Sequence, residues 1–596
     1  MKLSGLTELA TSRDVVEMFG GYNHNLRIAN SDFYDMENLT SDAYPLMATR
    51  GKRGNVKEFE SSCEGIIAKG KLAYIDGKNL VYGDMPHTID NLLDEEKLDG
   101  RKRQLVSYGA YLIIFPEGIM FNTETGKIDY LEAHYESPTI EDENGNKVGS
   151  EVKFEICTLE SSTNKEELVY DSQLDAPANP SNGDYWLDIS STPNSLKMYS
   201  STSQMWVSVP TCYVKITATN IGKQFEIYDG VTISGCTAPG TDDLNNTMVI
   251  WDKGEHYITV IGVLQEMQTQ TDTITVERKI PTMDFITESE NRLWGCHYGI
   301  IDDKPVNEIY ACKLGDAKNW NCFMGIASDS YAVSLGSDGV FTGAITLRGS
   351  PLFFKENCIH KIYGNLPSNY QVLTTNCRGV QRGSEKSLAI VNEVLFYKSA
   401  TDVCAYDGSM PSSVSENLGS VRYSDAVAGT LDGKYYISMK DTSDKWNLFV
   451  FDTIKNMWHR EDNTHVKYFS TLGTDLYFVT DDNKLMTTTG TGDTKEGKFK
   501  WFAETGSIGY SYPDNKYLSK LNVRMNLDID SSVALYIQYD SFGEWERKWT
   551  MNGMGTKSFT IPIIPKRCDH FKLRFEGEGD CKIFSIAKVL EMGSDV

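Results

Sequence analysis

Four stretches in the second half of the chain share one pattern of apolar and polar positions: SPLFFKENCIHKIYG, NEVLFYKSATDVCAYDG, GKYYISMKDTSDKWNLFVFD and TDLYFVTDDNKLMTTTG. Each reads as a short aromatic strand, a polar turn and a second strand. Aligned on Phe353, Phe396, Tyr436 and Tyr477, they step by 43, 40 and 41 residues. A repeat of about 40–45 residues made of strands and turns predicts β-propeller blades. A lone four-stranded blade leaves both faces bare, and stacking blades in a ring covers them. The competing reading is an all-β sandwich with coincidental spacing.

Two earlier stretches fit the same pattern, GIIAKGKLAYIDGKNLVYG and QLVSYGAYLIIFPEGIMFNTETGKID, with Tyr74 and Tyr111 separated by 37 residues. Asp76-Gly77 between alternating strands is a hairpin signal. Residues 131–282 break the period. They open on an acidic, turn-rich run and continue with strand-like segments around Trp186, Tyr199 and Trp206, as an inserted β domain would. Residues 501–596 alternate cleanly in Val533-x-Leu535-x-Ile537 and Phe571-x-Leu573-x-Phe575, predicting a jelly-roll-like β-sandwich. Residues 1–50 scatter single apolar positions among turn formers, with a short helical turn expected over residues 12–18, capped by Ser12.

The predicted fold is therefore all-β. It comprises an extended arm over 1–55, first propeller blades over 56–130, an inserted β-rich domain over 131–282, the remaining blades over 283–500 and a C-terminal sandwich over 501–596, with six or seven blades in all. The arm is expected to pack along its own domain or to lace an adjacent subunit.

Composition narrows the function. The 596 residues carry a net charge of −25 with a pI near 4.9, which argues against a protein that grips duplex DNA but suits a wall past which DNA slides. Two short basic clusters, GKRG at 51–54 and RKR at 101–103, read as solvated turns. The N-terminus lacks an apolar signal core and no run is long enough for a membrane helix, so a soluble chain made in a cytoplasm is expected, without membrane insertion. Twelve cysteines stand singly, as reduced core thiols do.

Candidate chemistry is sparse. There is no G-x-S-x-G, no H-E-x-x-H and no phosphate loop. Asp338-Gly339 reads as a hairpin turn. Asp142-Glu-Asn144-Gly-Asn146 departs from a calcium loop and reads as a turn at Asn144-Gly145. Glu576-Gly-Glu578-Gly-Asp580 offers the paired carboxylates of glycoside hydrolysis but reads as a solvated loop. Cys296-His297 and Cys568 with His570 lack further metal ligands. Trp186, Trp206, Trp294, Trp320, Trp458 and Trp545 read as core packing, with glycan platforms as the alternative. No catalytic, cofactor or metal residue is assigned, no cofactor is expected, and the chain reads as a non-enzyme.

Several segments resemble a group of tailed-phage virion proteins from phages and prophages of gut Firmicutes. These are DMENLTSDAYPL at 35–46 followed by RGKRG, then SENRLWGC, GDAKNWNCF, LAIVNEVLFYKS with CAYDGSMP, and CDHFKLRFEGEGDCKIFSIAK. The arrangement is also similar to the tail nozzle or hub proteins of short-tailed phages, the packaged-DNA stabilisation type. The resemblance implies a structural subunit of a homo-oligomeric, six-fold ring in the virion tail. Such a ring continues the DNA conduit, lets DNA transit without specific binding, and contacts portal-side adaptors and tail fibres or a tip protein. The alternatives are a receptor-binding tail protein that holds host glycans and, further off, a propeller glycosidase.

Overall fold

The computed structural model describes residues 11–93, 98, 102–141, 147–157, 169–190, 194–209, 211–511, 515–541 and 543–592. The calcium-like turn at 142–146 lies outside them. The described chain is all-β. Regular helix among these residues is confined to single 3-10 turns such as Asp242–Leu244, Glu385–Ser387 and Glu416–Leu418. The chain divides into two compact units. One holds residues 1–92, 339–361 and 373–596, and the other holds 93–338 and 362–372.

In the first unit, antiparallel meanders follow one another over residues 63–88, 343–361 with 373–376, 389–413 and 423–462. A further one takes three strands from 466–487 and its fourth, Gly54–Glu58, from the other end of the sequence. Phe353, Phe396, Tyr436 and Tyr477, on which the repeat was aligned, all fall on the second strand of their meander, as does Tyr74. Successive meanders pack face to face. Leu352 and Phe354 meet Leu395 and Tyr397, and Phe396 lies 5.4 Å from Tyr435 and 5.9 Å from Phe451. Leu431 and Tyr436 meet Leu476, and Val479 and Leu485 meet Phe59 and Tyr74. Alternation explains this stacking, because both faces of each small sheet carry apolar side chains and neither is left to water.

The arm is woven into the chain's own sheets. Thr11–Val16 and Met47–Thr49 pair with Cys581–Met592, while Gly21–Tyr22 and Asp32–Glu37 bridge Met457–Asp462 to Lys500–Thr505. Thr11–Val16 is a strand, not the expected helical turn, because every residue of it finds a partner between Ile586 and Glu591. These residues are thereby occupied within the chain and are not free to lace a neighbour. Both sheets that hold the strands of 516–592 consequently include residues from the arm.

The basic clusters are a second departure. Arg50 and Arg53 are each 5% exposed. Arg50 grips Glu496 through both guanidinium nitrogens at 2.7 and 2.9 Å. Arg53 reaches Glu461 at 2.6 Å and Asp462 at 2.7 Å. Arg103 is also buried and bonds Glu117 at 2.5 Å. Their acidic partners to Arg50 and Arg53 lie more than 400 positions away in sequence, so local composition read as a solvated turn what is a buried lock.

In the second unit, meanders over 104–130 and 285–334 pack through Tyr108, Ile113, Phe115, Met283, Ile286 and Trp320. Between them in sequence, residues 133–278 build sheets around a core of their own, including Phe154, Ile216, Phe225, Val231 and Val260.

Candidate functional site: a charged aromatic groove

The strand Phe571–Glu578 alternates strictly. Phe571, Leu573 and Phe575 face the sandwich core, so Lys572, Arg574, Glu576 and Glu578 face outward. Its neighbours do the same. Trp501 and Ala503 point inward, leaving Lys500, Phe502 and Glu504 on the outer face. Val533, Leu535 and Ile537 point inward and leave Ala534 and Tyr536 out. Pairing aligns these outer residues in two rows. One runs Glu37, Phe502, Glu576, Ala534, Thr550, and the other Asp35, Glu504, Arg574, Tyr536, Arg547. The first row, with Arg574, Tyr536 and Arg547 of the second and with Lys500 and Glu578, lines a groove of about 620 Å³.

Arg574 organises the groove. Its Nε donates to Glu576 at 2.8 Å, Nη1 lies 3.5 Å from Glu504, and its guanidinium sits 4.5 Å above the Phe502 ring. Lys572 bonds Glu504 at 3.1 Å and covers Tyr34 at 4.5 Å. Arg460 approaches Asp35 at 3.4 Å and Glu37 at 3.8 Å. Burial, with Asp462 and Asp35 adding to it and Arg460 only partly offsetting it, pushes the Glu37 carboxyl above the usual carboxylate range. Glu37 and Glu576 are two strands apart, about 9–10 Å between backbones. Behind the groove, the Trp501 indole packs against Gly577, where an added Cβ would come within 2.3 Å of it, and its Nε1 donates to the Gly579 carbonyl at 3.1 Å.

Such a surface has the parts for a polyhydroxylated ring: aromatic faces for its C–H side, and carboxylates and guanidinium for its hydroxyls. The sequence pointed at Glu576 and Glu578 but placed them in a loop. They lie on a strand, and the alternation of Phe571, Leu573 and Phe575 was the signal for it. Glu37, Phe502, Glu504 and Arg574 were missed, because sequence distance hides that the arm and the C-terminal strands share one sheet.

The other candidates are satisfied elsewhere. Asp338 accepts from the Tyr298 hydroxyl at 3.0 Å. His297 bonds Asp284 at 3.0 Å, and His570 bonds Asp569 and Ser541. Trp186, Trp294, Trp320 and Trp458 are buried, whereas Trp206 and Trp545 are half-buried. All twelve cysteines are free thiols, eleven of them buried. Among the described residues no group of three or more His, Cys, Asp or Glu is placed to hold a metal ion, and no helix is long and apolar enough to cross a membrane.

No protein-family model and no curated protein matches the chain. Solved structures do. An exo-beta-1,3-galactanase from Phanerochaete chrysosporium is 8% identical, covering 51% of this chain and 94% of its own, with a TM-score of 0.20. A family 43 arabinoxylan arabinofuranohydrolase from Bacillus subtilis is 7% identical, covering 66% and 92%, with a TM-score of 0.14. A Trypanosoma rangeli sialidase is 10% identical, covering 98% and 96%, with a TM-score of 0.19. At these scores the likeness carries no argument about site or substrate. It does correct one expectation. The chain was read as a non-enzyme, and the matched structures are glycoside hydrolases, so that exclusion is withdrawn.

Proposed function

We propose that the chain is a structural subunit of a tailed-phage virion, a tail nozzle or hub protein, whose meanders are the blades of a β-propeller. The observation that supports this reading most is the interlacing of its ends. Arm strands at 11–49 are built into sheets with strands at 457–592, and Gly54–Glu58 completes the last meander. A frame under load needs this, because Cys581–Met592 lies inside its sheet, between Met47–Thr49 and Lys516–Leu527, and cannot peel away without breaking that sheet from its middle. The charge of −25 suits a conduit wall for DNA. Subunits would associate as a homo-oligomeric ring, with tail adaptors and fibres or a tip protein as neighbours. Quantitative mass spectrometry of purified particles tests it. About six copies per particle are expected for a six-fold ring. Absence of the chain from particles refutes the reading.

The groove supports a second reading, that the virion protein engages host glycans there. In this reading Glu37, with its raised carboxyl, and Glu576, held by Arg574, act as an acid and a base on a sugar lying in the groove against the Phe502–Arg574 stack. A glycan array probed with the full chain and with Phe502→Ala tests binding, and release of reducing sugar from the bound glycans tests turnover. Saturable binding lost in the variant supports the reading. Equal signals from both proteins refute it.

A further inference from the structure

The second unit contains a pocket of about 960 Å³, larger than the groove and different in chemistry. Its walls are mostly apolar: the rings of Tyr228, Trp251 and Phe323, with Ile326 beside them. Phe323 is 60% exposed, Ile326 49% and Tyr228 45%. Folding normally covers side chains of this kind, and exposed apolar groups clustered on a concave surface mark a binding site.

Tyr228 adds an independent observation. Its φ is +71°, a left-handed conformation that bulky residues avoid. The chain around it is pinned. Tyr228 N donates to the Ile250 carbonyl at 2.7 Å, and the next residue, Asp229, is buried against Arg278 and accepts from Asn319 at 2.9 Å. Asn319 in turn accepts from Gly230 N at 2.8 Å. This buried network holds the backbone in its strained shape and leaves the Tyr228 ring outside, edge-on to Trp251 at 5.9 Å. Strain kept by rigid surroundings at a concave surface is a sign of use.

The third observation is charge. Lys313 stands at the pocket with its ammonium 5.3 Å from the centre of the Tyr228 ring. It makes no ion pair among the described residues, although the protein has 83 acidic residues against 58 basic ones. The Asn321 side-chain amide, also at the pocket, makes no hydrogen bond among them either. An aromatic cleft with one unpaired cation and one spare amide matches a ligand that is flat and apolar at one end and anionic at the other. From this geometry we infer that the pocket binds small amphipathic anions, an aromatic or fused-ring body carrying a carboxylate, with the body between Trp251, Tyr228 and Phe323 and the carboxylate on Lys313 and Asn321. The inference does not rest on the virion reading or on the groove.

Isothermal titration of the full chain with 2-naphthoate, and with the neutral 2-naphthalenemethanol as charge control, tests it. The acid is expected to bind saturably and about tenfold more tightly than the alcohol, the scale of one charge-assisted contact. In Lys313→Met the two should bind alike, with the alcohol unchanged. Tyr228→Gly should weaken both ligands without lowering the melting temperature, because glycine adopts the left-handed backbone freely. Absence of saturable heat with 2-naphthoate, equal affinity for acid and alcohol in the native chain, or unchanged discrimination in Lys313→Met would each overturn the proposal.

Discussion

Replacing Arg53 with alanine strands the Glu461 carboxylate and leaves Asp462 with the Thr464 N–H at 2.9 Å and the Arg50 guanidinium at 4.0 Å. Glu461 is 5% exposed and bonded to Arg53 at 2.6 Å, and Asp462 is bonded to it at 2.7 Å. Breaking a buried pair by removing one partner costs about 3–5 kcal/mol, most of it the price of the charge left behind. Gly54, the next residue, begins the strand that completes the meander with Lys484–Thr487, so the cost should appear as opening of that strand. Amide hydrogen exchange across Gly54–Glu58 and Lys484–Thr487 measures it. Acceleration by roughly two to three and a half powers of ten is expected. Arg53→Lys should recover only part, since an ammonium cannot fork to both acids. The triple variant Arg53→Met, Glu461→Gln, Asp462→Asn should exchange more slowly than Arg53→Ala, because no charge is left unpaired. If Arg53→Ala exchanged within about threefold of the native chain, the network would be worth no more than a surface pair and the reasoning would fail. Acid should mimic the deletion. Burial opposes ionisation of Asp462, but Arg53 and the bonds from Thr464 and Arg53 outweigh it and hold its carboxyl below the ordinary range. Its contribution is thus complete above the unfolded carboxylate pKa, about 3.9, and is lost as pH falls through the lower folded value.

Gly577→Ala should force Trp501 off its seat, lowering stability by about 1–3 kcal/mol and shifting tryptophan emission, as thermal melts followed by fluorescence will show. Burial drops the Lys398 ammonium from 10.5 to about 8, so the unfolded chain holds more protons between those values. Stability should therefore rise from about pH 8 to pH 10.5, by about 3 kcal/mol at most from this group, and Lys398→Met should flatten that rise in melts taken across the range. Burial likewise lowers His360 to about 4, so its contribution is lost as pH falls from about 6.5 to 4, and His360→Phe should remove that part of the acid profile.

The repeat was legible because one aromatic position recurs on the second strand of each meander, from Tyr74 and Phe353 to Tyr477. What escaped was pairing across the length of the chain. Nothing near Arg53 announces Glu461, and nothing near Glu37 announces Phe502 and, beyond it, Glu576. A strand's alternation tells which residues share a face but not which distant strand lies beside it. The groove was half written in the Phe571–Glu578 alternation, and the arm that supplies Glu37 lacked any such signature.

The strand Gly54–Glu58 also sets a clock. It is synthesised early, and its partner Lys484–Thr487 emerges 430 residues later. At about 5–20 residues per second, that strand waits roughly 20–90 s on the ribosome with its edge unpaired. The arm strands wait longer, for Lys500–Thr505 and Cys581–Met592. Charged Arg50, Lys52, Arg53 and Lys57 in and beside the waiting segment would discourage it from joining other nascent chains. A product cut short by premature termination would lack the partners that seal both sheets and would expose open edges to proteases. Completion of synthesis is thereby coupled to completion of the frame.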